Sequence, residues 1–335
     1  MDTSDSYITF DENGICDHCN TYYSKIEPNW NYGLDKEDEL LSLISKIKRS
    51  KNNDFDCIMG MSGGIDSSYL LTIMKEKYNL NPLVFHVDAG WNSQIAVNNI
   101  ENIIDKLNLD LFTEVINWEE MKDLQLSFFK SGVPHIDTPQ DHAFFASMYK
   151  FASKYKIKYI LTGGNYSTEC IRNPKEWMYY QSDIRQLKDI HSKFGKLNLR
   201  DFPTTNILYH KIWLPYFRNI KLFRPLDMLE YNKDEAIKYL EKNFSFKKYP
   251  QKHFESRFTK FYESYWLYER FSYDVRRVQF SSLILTNQMT RDQALLELKK
   301  KPYDIKNLNN DLNYISNKLE ISVSELKSYF KMEKK

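Results

Sequence analysis

Residues 55–61, F-D-C-I-M-G-M, form an apolar run of strand length that passes directly into S-G-G-I-D-S-S at 62–68. Such a run suits a strand buried on both faces of a parallel sheet. Beyond it, Leu70, Leu71 and Met74 carry helix-compatible spacing across 68–78. Strand, glycine turn and helix start, in that order, confine the chain to a βα unit and turn backbone N–H groups toward an anion. Gly63 and Gly64 permit backbone angles that a β-carbon resists. No Lys-Ser/Thr pair follows the second glycine, so this is not the Walker loop. A Ser/Asp-capped helix after an ordinary turn has the same local composition.

The alternation continues. Strand patterns at 55–61, 83–87, 111–115 and 157–162 are separated by helical ones at 68–78, 93–107, 118–130 and 140–155. This predicts an α/β fold, a parallel sheet with flanking helices. Ahead of it, residues 1–35 are polar and aromatic, with a Cys-Asp-His-Cys knuckle at 16–19, and 36–50 reads as a helix. A less regular stretch at 166–225, containing Pro174, Pro203 and Pro215, reads as an insertion forming a substrate wall. A helix is expected at 233–243, and helical pattern continues to Lys335. Three regions follow: 1–50, 51–230 and a helical 231–335.

Composition narrows the function. Lys and Arg number 47 against 45 Asp and Glu, a net charge of +2, which supplies no nucleic-acid-sized basic field. No apolar stretch approaches the ~18 residues a membrane span requires, and the N-terminus lacks a basic-then-apolar leader. Cys16, Cys19, Cys57 and Cys170 make no disulfide framework, so a cytoplasmic location is expected.

In open α/β sheets ligands bind beyond the carboxyl ends of the strands. Three such ends draw attention: 62–68, then H-V-D-A-G with Asp88 and Gly90, then T-G-G-N with Gly163, Gly164 and Asn165. Asp66, at the mouth of an anion loop, would repel phosphate unless a cation intervenes, and Mg²⁺ resolves that conflict. Ser62, Ser67 and Ser68 offer hydroxyls to phosphates or cap the helix, with capping the expected role of Ser68. Lys233 and Arg224 could neutralise a phosphate chain or be solvated. From Lys252 the chain reads K-H-F-E-S-R-F-T-K-F, and Y-D-V-R-R follows at 273–277. His253, Arg257, Arg276 and Arg277 suit a sugar ring with an anionic group, because Arg forks pair with carboxylates and phosphates. A polar helix face is the other reading.

The loop resembles that of the PP-loop ATP pyrophosphatases, with an adenine nucleotide alpha hydrolase-like fold, which grip pyrophosphate while AMP is transferred to a substrate oxygen. The chain as a whole resembles the N-acetyl sugar amidotransferases of surface-polysaccharide (lipopolysaccharide O-antigen) and flagellin-glycan biosynthesis. The resemblance rests on M-D-T-S-D at 1–5, I-T-F-D-E-N-G-I-C at 8–16, T-G-G-N at 162–165, Y-Q-S-D-I-R-Q-L at 180–187 and R-P-L-D at 224–227. It continues through K-H-x-E-S-R-F-T-K-F at 252–261 and Q-M-T-R at 288–291. It implies an enzyme using ATP and Mg²⁺, with Asp66, Ser62 and Lys233 at the reacting phosphates. The implied reaction converts an acetamido group of a nucleotide-linked sugar to acetamidino through an adenylated intermediate. Diacetamido hexoses and pseudaminic or legionaminic acids are open as substrates, and a homodimer is open as the assembly.

The implied ammonia source is a separate glutaminase. Position 2 is Asp rather than a nucleophilic Cys, and neither Cys57 nor Cys170 lies in a glycine-flanked elbow. The family pattern places two further cysteines upstream of M-D-T-S-D, which with Cys16 and Cys19 would complete a zinc site. Two thiolates, with His18 as a third candidate, make only a partial site, so truncation and loss of zinc both fit. Two rivals stand beside this reading: a tRNA-thiolating PP-loop enzyme, for which Cys170 would be the catalytic thiol, and a non-catalytic nucleotide-binding subunit.

Overall fold

A computed structural model describes residues 1–30, 34–50 and 54–335. The boundary expected at 50/51 opens onto 51–53, which lie outside the described residues. Five strands form one sheet: β1 (Cys57–Gly60), β2 (Pro82–Asp88), β3 (Leu111–Val115), β4 (Tyr159–Leu161) and β5 (Lys221–Phe223). Their order is β3-β2-β1-β4-β5, and every pairing is parallel. From β1 the chain builds outward to β3, then returns to add β4 and β5 on the other side. The switch point therefore lies between β1 and β4, where the glycine loop and the T-G-G-N turn emerge side by side.

Side-chain alternation divides the core in two. Ile58, Phe85 and Ile160 face one layer, which holds Phe128, Phe129 and Phe151. Their neighbours Met59, Val84 and Leu161 face the other, with Leu70, Met74 and Ile100. Because successive strand residues point to opposite faces, β1 feeds both cores. The C-terminal region shares both layers. Phe258, Phe261 and Trp266 join the first, and Leu240 and Phe244 of the helix Lys233–Phe244 join the second.

Three expectations are corrected. The helix after the glycine loop is Ile65–Glu76, beginning three residues early, because Gly64 itself caps it and Ser68 N–H donates to Gly64 O at 3.1 Å. Ser68 is therefore no cap; it is buried, with Oγ 3.9 Å from Met61 Sδ. The stretch 166–225 contains β5, the helix Ile184–Phe194 and a π-helix, Tyr209–Phe217, so part of the expected insertion completes the sheet. A three-residue strand is too short to show a period. Among the described residues, no helix is long and apolar enough to cross a membrane.

Candidate functional site

At the carboxyl end of β1 the chain turns through Ser62 and Gly63. Gly63 has φ +79°, and a Cβ there would stand 2.8 Å from the Ala96 carbonyl oxygen. Angle and space both demand glycine. The loop is held from inside: Ser62 Oγ accepts the Gly64 N–H at 3.2 Å and lies 3.2 Å from Ser67 Oγ. It is also held from outside, where the Tyr249 hydroxyl donates to Gly63 O at 3.0 Å. The turn after β4 packs directly on the loop, since a Cβ on Gly163 would come within 2.8 Å of the Asp66 carbonyl carbon and the Ser67 nitrogen.

Asp66, in the first turn of the helix, meets two groups from distant sequence. The Tyr231 hydroxyl donates to its Oδ1, and Lys252 Nζ lies 3.2 Å from Oδ2. Burial acts to raise the Asp66 pKa, but Lys252, Tyr231 and Lys233 together outweigh it and hold the carboxyl below its ordinary value. Lys252 also donates to Glu169 at 2.7 Å and to Thr168 Oγ1 at 3.2 Å. Burial works against its charge, yet the two carboxylates raise its pKa above the usual lysine value. Lys233 behaves oppositely: burial and the nearby Lys252 lower its pKa. Among the described residues its ammonium has no hydrogen-bond partner, which leaves it available to an anion.

Ser62, Gly64, Asp66, Gly163, Lys233 and Lys252 line one cavity of about 400 Å³. A second cavity, of about 820 Å³, shares Ser62, Ser67, Glu169, His253 and Glu255 with it, so the two form one continuous cleft. The larger chamber is acidic. Thr259 donates to Asp137 at 2.8 Å, and Tyr179 donates to Asp141. Burial raises the pKa of both carboxyls, and their mutual repulsion adds to the effect at Asp137. His253 Nδ1 lies 2.8 Å from Glu263 Oε1. Burial opposes the imidazolium, but Glu263 outweighs it and raises the His253 pKa to about 9.

Asp66 Oδ1 accepts from Tyr231 and Oδ2 faces the Lys252 ammonium, so a cation already stands beside the loop carboxylate. In the knuckle, the Cys16 and Cys19 sulfurs lie 3.4 Å apart, Cys16 caps the short helix Asp17–Thr21, and His18 is committed to Asp5 at 2.7 Å. Among the described residues no group of three or more His, Cys, Asp or Glu could hold a metal ion.

Other sequence candidates lie beside the cleft rather than in it. Asp88 Oδ1 accepts the Gly90 N–H at 2.7 Å, and Gly90 has φ +85° against the Trp118 ring. They form a turn outside both cavities, whereas neighbouring His86 lines the larger one. The Asn165 side chain caps the turn Tyr166–Glu169, accepting from Thr168 N–H at 2.8 Å, and donates to Gly163 O at 3.0 Å. Arg224 donates to Gly164 O at 3.1 Å and pairs with Asp227 at 3.0 Å. Both residues brace the second glycine turn.

Of the four sugar-binding candidates, His253 alone lines the cleft. Arg257 stacks on Tyr314, 3.3 Å from the ring centroid. Arg276 is buried with its fork on Asp274 at 2.9 and 2.6 Å. Arg277 pairs with Asp2 and docks the N-terminal segment. Each guanidinium has a partner away from the cleft. Sequence reasoning missed Lys252, Glu255, Tyr231, Asp137 and Asp141. Lys252 and Glu255 stood inside the K-H-F-E run, and D-T-P-Q-D spaces Asp137 and Asp141 one helical turn apart.

The geometry defines a parallel α/β protein in which a glycine loop and two lysines line a cavity beside a larger acidic chamber. Residues 255–335 match the family described as "LPS biosynthesis protein WbpG-like, C-terminal domain". An uncharacterised protein of Methanocaldococcus jannaschii is 27% identical over 174 residues, covering 50% of this chain and 58% of that protein. A tRNA-specific 2-thiouridylase, MnmA 2 of Fusobacterium nucleatum, is 28% identical over 120 residues, covering 33% of this chain and 34% of that protein. The chain thus spans less than two thirds of the length of either relative. Among solved structures, a tRNA thiolase (NcsA) of Methanococcus maripaludis with its 4Fe–4S cluster aligns at 14% identity with a TM-score of 0.34, over 76% of this chain and 80% of that one.

Proposed function

We propose that this chain is an ATP-dependent enzyme that adenylates an acetamido oxygen of a nucleotide-linked sugar and exchanges that oxygen for nitrogen. The observation that carries the reading is the shared cleft. A glycine-loop anion site with two lysines opens into a chamber partly walled by Glu255, Ser256, Thr259, Tyr262 and Glu263, which belong to the WbpG-like segment.

In this reading the loop N–H groups, Lys233 and Lys252 hold the phosphates of ATP. The amide oxygen attacks the α-phosphorus, and pyrophosphate leaves with the bridging electron pair. Ammonia from a separate glutaminase adds to the activated carbon, and the C–O bond breaks as AMP departs. Positioning and charge stabilisation supply most of the rate. The carboxyls of the chamber accept from the sugar's hydroxyl and amide hydrogens, and the His253 imidazolium donates to a sugar oxygen. Mg²⁺, if it accompanies the nucleotide, is held by phosphates rather than by Asp66.

The tRNA-thiolating alternative draws on the 28% identity to a thiouridylase. It needs a reactive thiol at the nucleotide. Cys170 is buried, its thiol pushed up to about 11 by that burial, which suits an inert side chain. The deciding experiment incubates the chain with ATP, ammonium and a panel of nucleotide-linked acetamido sugars, followed by mass spectrometry. Supporting results are AMP release together with a product lighter by the difference between oxygen and NH. ATP cleavage with tRNA alone, leaving all sugars unchanged, would reverse the assignment.

A further inference from the structure

Residues 202–226 contain no Asp or Glu but carry Lys211, Arg218, Lys221 and Arg224. Within them, Tyr209–Phe217 forms a π-helix, whose hydrogen bonds close over five residues rather than four. Spacings of four and five residues therefore share a face, and Leu208, Ile212, Trp213, Tyr216 and Phe217 fall on one. All five are exposed, Leu208 by 68%, Tyr216 by 80% and Phe217 by 65%. Trp213 and Phe217 stack with ring centroids 4.7 Å apart. The reverse face anchors the helix, with Leu214 buried and His210 stacked 5.5 Å from Tyr149. Lys211, Arg218 and Lys221, in or just after the same helix, are exposed as well.

A contiguous exposed face of large apolar side chains marks a docking surface. Aromatic and aliphatic residues rimmed by cations, with no carboxylate among them, match a helix lying in a lipid interface. We infer that this face seats the chain on an anionic lipid surface. The apolar side chains enter the boundary between headgroups and acyl chains, and the three cations meet lipid phosphates. A second copy fits less well. Two-fold pairing sets the same patch against itself, so the cations would confront one another without a carboxylate between them. Strand pairing through β5 is also poorly served, because that edge is three residues long and begins with Lys221.

The test is co-sedimentation of the full chain with vesicles of phosphatidylglycerol and phosphatidylethanolamine, against vesicles of phosphatidylcholine alone. The chain should pellet with the anionic vesicles only, and less so as salt rises. Trp213→Ser combined with Phe217→Ser should lower the partition coefficient by about tenfold or more, with an unchanged circular dichroism spectrum. Lys211→Glu combined with Lys221→Glu should also release the chain from anionic vesicles. The inference is overturned if the chain stays in the supernatant at low salt, or if the Trp213/Phe217 variant pellets like the wild type. It is equally overturned if sedimentation velocity shows a dimer that this variant dissociates while vesicles remain unbound.

Discussion

At Asp66 a carboxylate meets an ammonium contributed from 186 positions further along the chain, 3.2 Å away. Removing Lys252 leaves the partly buried Asp66 and Glu169 carboxylates without their shared ammonium. Lys252→Ala should therefore cost about 3 kcal/mol of stability and, on the proposed function, reduce pyrophosphate release by about a hundredfold. Chemical denaturation and a pyrophosphate assay measure the two effects separately. A folded variant with ordinary turnover would remove Lys252 from the chemistry. The His253–Glu263 pair makes a second prediction. Its folded pKa of about 9 stands above the ordinary 6.5, so its contribution is complete below the ordinary value and fades as pH rises through about 9. Glu263→Gln should lower the melting temperature more at pH ~6 than at pH ~10, and an equal loss at both would exclude the ion pair as the cause. At this scale the sequence was partly legible. The place of Asp66 at the loop mouth was legible, but its Lys252 partner was not, because nothing local to 62–68 announces a lysine arriving from another region.

Among elements, the two glycine turns differ in what each can tolerate. A Cβ on Gly163 would press on the Asp66–Ser67 backbone at 2.8 Å, whereas one on Gly164 would meet the Arg224 side chain no closer than 3.5 Å. Gly163→Ala should cost about 1–3 kcal/mol of stability and, on the proposed function, weaken ATP binding. Gly164→Ala should change both little. Paired melting curves and nucleotide titrations check the contrast, and equal behaviour would refute the close packing of the two turns. The βα units were readable because β1 is an apolar run, β2 is apolar apart from His86 and its terminal Asp88, and the helix Gln94–Leu107 that follows β2 keeps its period. β5 was not readable, since three residues flanked by a π-helix and a proline turn carry no pattern. Arg276 misled for a related reason: a sequence shows that an arginine is present, not that Asp274 two residues earlier already holds its fork.

Across the whole molecule, the C-terminal region both completes the core and supplies the far wall of the cleft. Its helical pattern was legible in sequence, whereas its share in each core was not. The proposed function predicts that the chain uses ammonium and not glutamine, since glutamine hydrolysis requires an activated nucleophile. Cys57 and Cys170 are both buried, with thiols pushed up by burial. Parallel assays with each nitrogen donor check this, and glutamine-driven turnover lost in Cys170→Ala would refute it. The distance in sequence between Asp66 and Lys252 also has a bearing on synthesis. A ribosome that has released residues 1–230 has released the glycine loop, both turns and every strand of the sheet, but not the lysine. A nascent chain therefore displays a cradle that carries the Asp66 and Glu169 carboxylates without Lys233 or Lys252, and on the proposed function the grip on an anion is switched on only when the last quarter of the polypeptide folds back over the sheet.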